Sequence, residues 1–495
     1  MYETNILSFI IFLPAIVSFI LMICVKKSED IRNIAFITTI IILILVLKIY
    51  INFEPTSKMQ FVTNIPWISQ YGINYYIGVD GFSLTILMLI AILIPTSYLF
   101  LWEGRTKGYW LNMLLIQTGV TGTLLALDTI LFYFFWEIML LPVFMLIGIY
   151  GTGNKVLSTI KVTIYTMTGS LFMFVAIIYI GINFYNEFGY WSFQYTSLMK
   201  VTILSHTEEY FLFFVFVGAF MIKIPLFPFH TWITSTYSNA PTGAVFLLSS
   251  IMAKLGIYAI VRFMIPIFPD ICIEFADYFV FIGIFGLIYF GIAALMQNDI
   301  KKMFAYSSAS HLSLIAAGIF SLNHFGMNGA LYLIIAHAIS TGGLFLLIGM
   351  LEYETKFKNI TDLGGIAKKA PIFTFIFAIM LFANIGLPST NGFVSELLII
   401  FGIYKSNHLM GFAATLTVLI AASYMLWMFQ RAILQDKTNN NILKIRDLNL
   451  KEIVAITPWI ILIFIMGIYP EPFINKFEPT VTHFIDDFLN YGRIK

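Results

Sequence analysis

Residues 131–148 read LFYFFWEIMLLPVFMLIG, and this stretch decides the class of fold. An apolar run of this length can cross the hydrocarbon core of a bilayer as a helix. Its only charged residue is Glu137, which lies near the middle. An ionisable group at that depth is costly and is not needed for folding, so Glu137 is a candidate functional residue in a transmembrane helix.

The composition extends this prediction to the whole chain. Of its 495 residues, 59% are hydrophobic and only 11% are charged, which is more apolar surface than a soluble protein of this size can bury. The formal net charge of +2, without a basic patch interleaved with aromatic residues, argues against a nucleic-acid partner. Cys24 and Cys272 stand alone, so we interpret them as small core residues and not as metal ligands.

Similar apolar windows recur along the chain and predict an all-α polytopic membrane protein with about fourteen transmembrane helices. Lysine and arginine concentrate in every second connection, for example at Lys26–Lys27, Lys301–Lys302 and Lys368–Lys369. The positive-inside rule makes these connections cytoplasmic and places both termini on the opposite side. The predicted spans are 5–25, 32–50, 80–101, 111–127, 129–150, 160–182, 210–235, 241–262, 276–296, 303–322, 326–349, 371–402, 408–430 and 451–470.

The seventh and twelfth spans contain helix-breaking residues. The sequence reads KIPLFP at 223–228 and GLPSTNG at 386–392, so both helices should be discontinuous at membrane depth. Each is the fourth helix of a five-helix set, spans 4–8 and spans 9–13, and because five is odd the two sets are predicted to be inverted repeats. Asp128 and Asp299, each at the start of the second helix of a set, support this pairing.

The repeats divide the chain into four predicted segments. Residues 1–110 form an N-terminal three-helix segment, and residues 431–495 form a C-terminal helix and tail. Between them, 111–262 and 276–430 are the two repeats, each a predicted half-channel.

Four charged residues lie deep within predicted spans, away from the span ends, and acids and bases in separate helices are typical of a path that moves charge. They are Glu137, Lys223, Lys254 and Glu396. Structural alternatives remain open for each. Glu137 could be a carboxylate bonded to a neighbouring helix, and Lys223 an ammonium held by carbonyls freed at the helix break. Lys254 could be a snorkelling side chain, and Glu396 a helix cap.

Three histidines are further candidates. His311 and His337 lie in adjacent spans of the second repeat and could relay protons, pack as hydrogen-bonded core residues, or ligate a haem as a pair. His230, in LFPFHTW, follows the first break, where capping or packing are the alternatives to a relay. Because the chain has no nucleotide, zinc or nucleophile motif, we predict no cofactor in it, and the energy for uphill transport must come from a partner or a counter-ion.

Three stretches resemble the proton-conducting, antiporter-like subunits of respiratory complex I (NADH-quinone oxidoreductase), a family related to Mrp-type cation/proton antiporters. They are FFWEIMLLP (134–142), KIPLFPFHTW…NAPTGAVFLLSSIMAKLG (223–256) and GLPSTNGFVSELLIIFG (386–402), and the likeness covers nearly the whole chain. In this family the second broken helix usually carries a lysine, but in the subunit M type, the equivalent of mitochondrial subunit 4, it carries a glutamate. Glu396 therefore favours the subunit M type.

The resemblance implies a role for each candidate. Glu137 and Lys223 would form the charge pair of the first half-channel, Lys254 would carry the proton towards the second, and Glu396 would be the terminal acid. The histidines of the second repeat would line the axis between these last two residues. The chain would be a translocase subunit without redox chemistry of its own, in the bacterial inner membrane with periplasmic termini. Flavin, iron-sulfur clusters and quinone would belong to partner subunits, and L-like and N-like subunits would be its neighbours in the bilayer.

One segment departs from the family. After FHTW the relatives usually read LPDAHTEAPT, whereas residues 233–242 read ITSTYSNAPT, which changes the groups available for proton access at the cytoplasmic face. Two alternative functions remain open. One is a sodium/proton antiporter subunit of the Mrp type, against which Glu396 argues. The other is a structural membrane scaffold that does not pump.

Overall fold

A computed structural model describes residues 5–101, 106–435 and 445–491. The N-terminal part has three long helices and an antiparallel two-stranded hairpin, which occupies the predicted connection 51–79 and is a small addition to the predicted all-α fold. These elements are α1 (Ile6–Cys24), α2 (Ser28–Asn52), β1 (Gln60–Ile68), β2 (Ile73–Val79) and α3 (Gly81–Phe100).

The first predicted repeat folds into helices that follow one another with short connections. They are α4 (Lys107–Leu125), α5 (Thr129–Ile138), α6 (Leu140–Tyr150), α7 (Lys155–Phe188), α8 (Tyr195–Leu198), α9 (His206–Lys223), α10 (Thr231–Asn239), α11 (Thr242–Leu247), α12 (Ala253–Ala259) and α13 (Ile265–Ile267). The π-helical segments Leu248–Met252 and Ile260–Met264 join the last three into one continuous helix, Thr242–Ile267.

The second predicted repeat and the C-terminal part follow after the short helix α14 (Pro269–Glu274). Their helices are α15 (Ala276–Leu295), α16 (Ile300–Phe320), α17 (His324–Thr355), α18 (Ile366–Lys369), α19 (Pro371–Ile385), α20 (Asn391–Ser406), α21 (His408–Ala414), α22 (Leu416–Phe429), α23 (Leu450–Ile468) and α24 (Glu471–Tyr491). Within the predicted segment 431–495, residues 436–444 and 492–495 lie outside the described residues.

Helices occupy all of the predicted span positions, and eleven helices in the described part of the chain are long and apolar enough to cross a membrane. The other three predicted spans are helical but do not form one long apolar helix, and the reason is clear for each. The seventh and twelfth are each split into two shorter helices, as predicted. Helix α4 is continuous, but polar residues such as Gln117, Thr118 and Thr121 make it less apolar. Those α4 side chains are buried against protein, so the helix has no need of an apolar surface towards lipid.

Burial separates the inner helices from those at the periphery. The most apolar windows of Thr242–Ile267 and of α17 are 100% buried, and that of α16 is 94% buried. By contrast, the corresponding windows of α1, α2 and α23 are 39%, 33% and 33% buried. Polar side chains on the three inner helices are therefore surrounded by protein, where other polar groups can satisfy them.

The two predicted helix breaks are confirmed. Helix α9 ends at Lys223 and α10 begins at Thr231, while α19 ends at Ile385 and α20 begins at Asn391. Gly386 follows α19 in the left-handed conformation, with φ of 80°, and a Cβ there would lie 2.8 Å from Oε2 of Glu396. Glycine therefore provides both the turn and the close approach of the acid to the break.

The two aspartates that suggested the repeat are both helix caps. Asp128 accepts hydrogen bonds from the amides of Ile130 and Leu131 at the start of α5, and Asp299 accepts one from Lys302 at the start of α16. Burial raises the pKa of Asp128 to about 6, although backbone N–H groups, including that of Asn74, oppose the shift. The local parallel between the sets is clear, and the inverted relation of the complete sets stays a prediction.

The C-terminal tail is an amphipathic helix, which the sequence analysis did not predict. Phe477, Val481 and Ile485 recur every four residues of α24 and are buried. The helix lies against the start of α3, where the amide of Gly81 donates to Thr480 Oγ1 at 3.3 Å. The spacing of these apolar residues was the signal that could have revealed it.

Candidate functional site

Lys254 is fully buried on α12, and its ammonium has two partners. It donates to the carbonyl of Ser249, which the adjoining π-helical segment supplies. Its second partner is Nδ1 of His337 on α17, at 2.9 Å. The predicted alternative of a snorkelling lysine is wrong, because the side chain is 0% exposed and points to a neighbouring inner helix.

The second predicted histidine continues this contact series. The rings of His337 and His311 stack with centroids 5.4 Å apart and an angle of 27° between their planes. Nε2 of His311 lies 3.4 Å from Oε1 of Glu396 on α20. Four predicted residues from four helices are thus consecutive neighbours, and we call Lys254, His337, His311 and Glu396 the central cluster.

Backbone carbonyls fix the orientation of His311. Nδ1 lies 2.9 Å from the carbonyl of Ser307, and Nε2 lies 3.0 Å from the carbonyl of Asn384. A continuous helix would use the Asn384 carbonyl for the amide four residues later, but Pro388 has no N–H. The helix break therefore frees an acceptor for the histidine.

The hydrogen-bond geometry also constrains protonation in the central cluster. Both nitrogens of His311 face oxygen acceptors, and a ring that carries protons on both nitrogens satisfies them all. An ionised Glu396 then provides the opposite charge. Because the nitrogens of His311 are engaged by protein and the two rings stack directly, the pair does not fit the axial ligation of a haem.

The first-half candidates are close together but are not ion-paired. Within the described residues, Nζ of Lys223 and Oε1 of Glu137 have no hydrogen-bond partner. Lys223 is 4% exposed, and its Nζ lies 4.7 Å from the ring centroid of Trp136, the residue preceding Glu137. A cavity of about 20 Å³ beside Lys223, also lined by Thr166 and Trp232, is large enough for one water molecule.

Glu137 differs from the other candidates because it is only partly buried. Its neighbours one residue and one turn away, Phe134, Ile138 and Leu141, are 42%, 43% and 63% exposed. The hydroxyl of Ser170 on α7 interacts with the carboxylate. The acid thus lies near the lateral surface of this chain, at the depth of an apolar span.

Helix α12 brings the first-half candidates next to the central cluster. A Cβ placed on Gly256 would lie 3.3 Å from Cβ of Lys223, so α9 and α12 are in contact beside Lys254. The cavity next to Lys223 is also lined by Met252 and Ala253, the residues immediately before Lys254. The order of the candidates in space is therefore the order that the resemblance implies.

His230 lies outside this series. It is 6% exposed and packs against Phe290, with ring centroids 4.8 Å apart. It precedes α10 but makes no side-chain capping hydrogen bond. Packing is the better supported of its predicted alternatives.

Sequence analysis missed a buried ion pair. Arg262 bonds Asp80 at the start of α3 and the hydroxyl of Tyr258. The amide and the hydroxyl of Ser83 also donate to the Asp80 carboxylate, at 2.9 Å each. The signal was the aspartate of GVDGFS (78–83), which precedes a helix as a capping residue.

Comparison with known proteins identifies the family of this chain. Residues 126–421 match the family described as NADH:quinone oxidoreductase/Mrp antiporter, TM. The chain belongs to this family. It is 34% identical to NADH-quinone oxidoreductase subunit M of Rickettsia prowazekii, over 99% of this chain and 100% of that protein. It is 33% identical to NADH-ubiquinone oxidoreductase chain 4 of Marchantia polymorpha, over 97% of each.

Solved structures show the same fold. One is a chain of "Respiratory complex I from Thermus thermophilus with bound NADH", with a TM-score of 0.88, 26% identity, and coverage of 97% of this chain and 99% of that one. Another is a chain of the Mrp complex from Dietzia sp., with a TM-score of 0.87 but only 18% identity, over 98% of each. The predicted fold class and the predicted resemblance to the subunit M type are confirmed.

Proposed function

We propose that this chain is a proton-translocating subunit of the membrane arm of an NADH-quinone oxidoreductase. One observation supports the proposal most: Lys254, His337, His311 and Glu396 form an unbroken series of contacts through the innermost helices. Burying four titratable groups in apolar surroundings costs free energy. A purely structural role would need only one pair of them, so the full series favours a functional one.

The contacts give the series a chemical direction. The ammonium of Lys254 donates to Nδ1 of His337, and when Nδ1 takes that proton, Nε2 gives up its own. Nε2 has no partner among the described residues, so in this proposal the proton passes from it through water. His311 already carries a proton on each nitrogen and takes no other, so Glu396 is the acceptor of the proton and His311 stabilises its carboxylate.

In this proposal Glu137 controls whether Lys223 holds a proton. An unpaired ammonium at Lys223 is unstable in an apolar site, and a carboxylate nearby stabilises it. Moving Glu137 towards or away from Lys223 would therefore change the proton occupancy of the lysine. The adjoining cavity gives the ammonium room for one water molecule as a partner when the carboxylate is away.

The position of Glu137 also supports a neighbouring subunit as the source of that movement. Glu137 is only partly buried and its apolar neighbours are exposed, so a subunit that packs on this face would contact the segment that carries the acid. The full-length relatives belong by name to NADH-quinone and NADH-ubiquinone oxidoreductases. We therefore assign the electron-transfer energy, the flavin, the iron-sulfur clusters and the quinone to partner subunits, with L-like and N-like chains as neighbours in a bacterial inner membrane.

The decisive test replaces Lys254 with methionine in the complete complex, reconstituted in liposomes. We expect NADH-driven proton uptake to fall to background, because methionine fills the volume but holds no proton. Lys405→Met is the matched control, since Lys405 is an exposed lysine at the end of α20. Pumping at the normal ratio of protons to electrons by assembled Lys254→Met complexes would instead establish a scaffold, and sodium transport by the wild type would favour the antiporter alternative.

A further inference from the structure

Asn384 is the second-to-last residue of α19 and joins the helix break to neighbouring inner helices. It is 3% exposed. Its side-chain amide donates to Oγ1 of Thr341 at 2.9 Å and to Oγ of Ser340 at 3.3 Å, both on α17. An amide has no titratable proton, so Asn384 is not a proton carrier in the proposed series. Its contacts nevertheless reach the helices of both histidines of the central cluster.

The amide holds α17 close to His337. Ser340 and Thr341 follow this histidine by three and four residues, so all three lie on one face of the helix, about one turn apart. The two helices also approach closely here, since a Cβ on Gly343 would lie 2.8 Å from Sδ of Met380 on α19. A shift of α19 would therefore be transmitted to the part of α17 that carries His337.

On its other side Asn384 contacts α16, the helix of His311. The hydroxyl of Ser307 donates to Oδ1 of Asn384 at 3.5 Å, and the backbone carbonyl of Asn384 lies 3.0 Å from Nε2 of His311. The two histidine rings share no hydrogen bond, because Nδ1 of His337 faces Lys254 and both nitrogens of His311 face oxygen atoms. Asn384 thus links the two histidine-bearing helices through hydrogen bonds that the rings themselves do not make.

The hydrogen bonds fix which way round the amide lies. The hydroxyl of Ser340 donates its proton to the carbonyl of Ala336 at 3.0 Å, so it accepts from Asn384. The NH₂ group therefore faces α17, and the oxygen faces Ser307 on α16. Both contacts need a side chain with donors on one side and an acceptor on the other, which an amide provides.

The helix break leaves the Asn384 carbonyl dependent on these side-chain bonds. The last carbonyls of a helix have no amide of the same helix as partner, so α19 itself does not hold this group. Gly386 then turns the chain away in the left-handed conformation, with φ of 80°. The place of the carbonyl beside His311 matters, because a displacement of about 1 Å can slow a reaction about 100-fold.

We propose that Asn384 is a positioning residue for proton transfer in the central cluster. Its side-chain amide fastens the helix break to α16 and α17, and its backbone carbonyl thereby keeps the protonated Nε2 of His311 beside Glu396. The inference rests on the proposed function and adds to it a residue through which no proton passes. Loss of the amide should therefore change how firmly His311 keeps its proton, as well as how the helices pack.

The test replaces Asn384 with leucine, which has a similar size but makes no side-chain hydrogen bonds. The rate of NADH-driven proton uptake is measured for assembled complexes in liposomes. We expect Asn384→Leu to pump at least about fivefold more slowly, because two buried hydrogen bonds to α17 are lost. Thr341→Val, which removes one of their acceptors, should slow pumping about two- to twelvefold, whereas Thr341→Ser keeps the hydroxyl and should pump like the wild type.

The dependence of pumping on pH separates positioning from packing. Without the side-chain bonds the Asn384 carbonyl is free to move away from the imidazolium of His311, which then gives up its proton at lower pH. The decline of pumping at alkaline pH should therefore move towards lower pH by about one unit in Asn384→Leu, and in the same direction in Thr341→Val. A purely structural role would lower the amount of working complex and leave the pH profile unchanged.

The matched controls are Asn112→Leu and Thr123→Val. Both residues are buried on α4 and donate within their own helix, Asn112 to the carbonyl of Gly108 and Thr123 to that of Gly119, at 2.7 Å each. We expect both controls to keep the wild-type pH profile. An equal shift of the profile in the controls would overturn the proposal, and so would slower pumping by Asn384→Leu without any shift.

Two further comparisons keep a failure of the test interpretable. If the Asn384→Leu complex does not assemble, the two Thr341 variants decide, and equal rates and pH profiles for valine and serine would overturn the proposal. Lys254→Met is measured in parallel: if it fails to pump while Asn384→Leu has the wild-type rate and profile, the positioning role is wrong and the proposed function stands. Normal pumping by Lys254→Met would overturn the proposed function, and the positioning role with it.

Discussion

In the second half of this chain the candidate residues are deeply buried and in contact with one another, whereas in the first half they are close but not ion-paired. The central cluster is completed by residues of this chain alone, from Lys254 to Glu396. Lys223 has only an aromatic face and a water-sized cavity beside it, and Glu137 lies at the lateral surface. The second half thus resembles a finished pathway, and the first half a contact site that another protein completes.

The difference follows from where the helices lie. The inner helices α12, α16 and α17 have protein on all sides, so their polar groups can find partners within the chain. Exposed apolar side chains surround Glu137 on its helix, and few polar side chains lie near it. A charge in that place is tolerated only if a partner covers it, which makes it sensitive to the partner's position.

The largest expected effect tests the first half. In assembled complexes, Glu137→Gln and Lys223→Ala should each reduce proton pumping to background, because either change removes one charge of a pair that sets the proton occupancy of the lysine. The measurement is proton uptake per NADH oxidised in liposomes. Glu478→Gln and Lys200→Ala change exposed residues and serve as controls. A normal ratio of protons to NADH in either variant would show that the first half does not control pumping.

These two regions also show what the sequence could predict. Apolar windows locate the helices, and proline with glycine locates the breaks, because both effects are local. Charges within apolar windows identify the candidates. No local rule predicts that Pro388 frees the Asn384 carbonyl for His311, since that contact joins helices 73 residues apart in sequence. The exposure of Glu137 likewise depends on packing that the sequence pattern does not contain.

A smaller effect is expected from a change of sign within the central cluster. The family resemblance implies a lysine at this position in members other than the subunit M type, yet here Nε2 of His311 lies 3.4 Å from the acid Glu396. Glu396→Lys would place two cations together, and like charges at about 4 Å repel by about 4 kcal/mol at an effective dielectric constant near 20. We therefore expect Glu396→Lys to pump poorly and Glu396→Lys with His311→Gln to recover part of the rate.

The control for this pair is His311→Gln alone, measured by the same proton uptake. If the double variant is no better than Glu396→Lys, the two residues do not share a charge, and the contact between them is only packing. Recovery above both single variants would instead show that the glutamate and the histidine act as one unit.

The smallest effect concerns a residue that positions the cluster and carries no charge. Tyr424 donates to Ser307 Oγ at 2.9 Å, and the carbonyl of Ser307 is one of the acceptors of His311. Tyr424→Phe should slow pumping about two- to twelvefold, since the loss of one buried hydrogen bond is worth about 0.5–1.5 kcal/mol. Tyr98→Phe, which removes another buried and bonded hydroxyl, is the matched control. If Tyr424 acts through Ser307, then Ser307→Ala should cause a similar loss, and the double variant should be no slower than either single one. Additive losses would mean that the tyrosine acts on Glu396 by another route, and the second half would then be less self-contained than its contacts indicate.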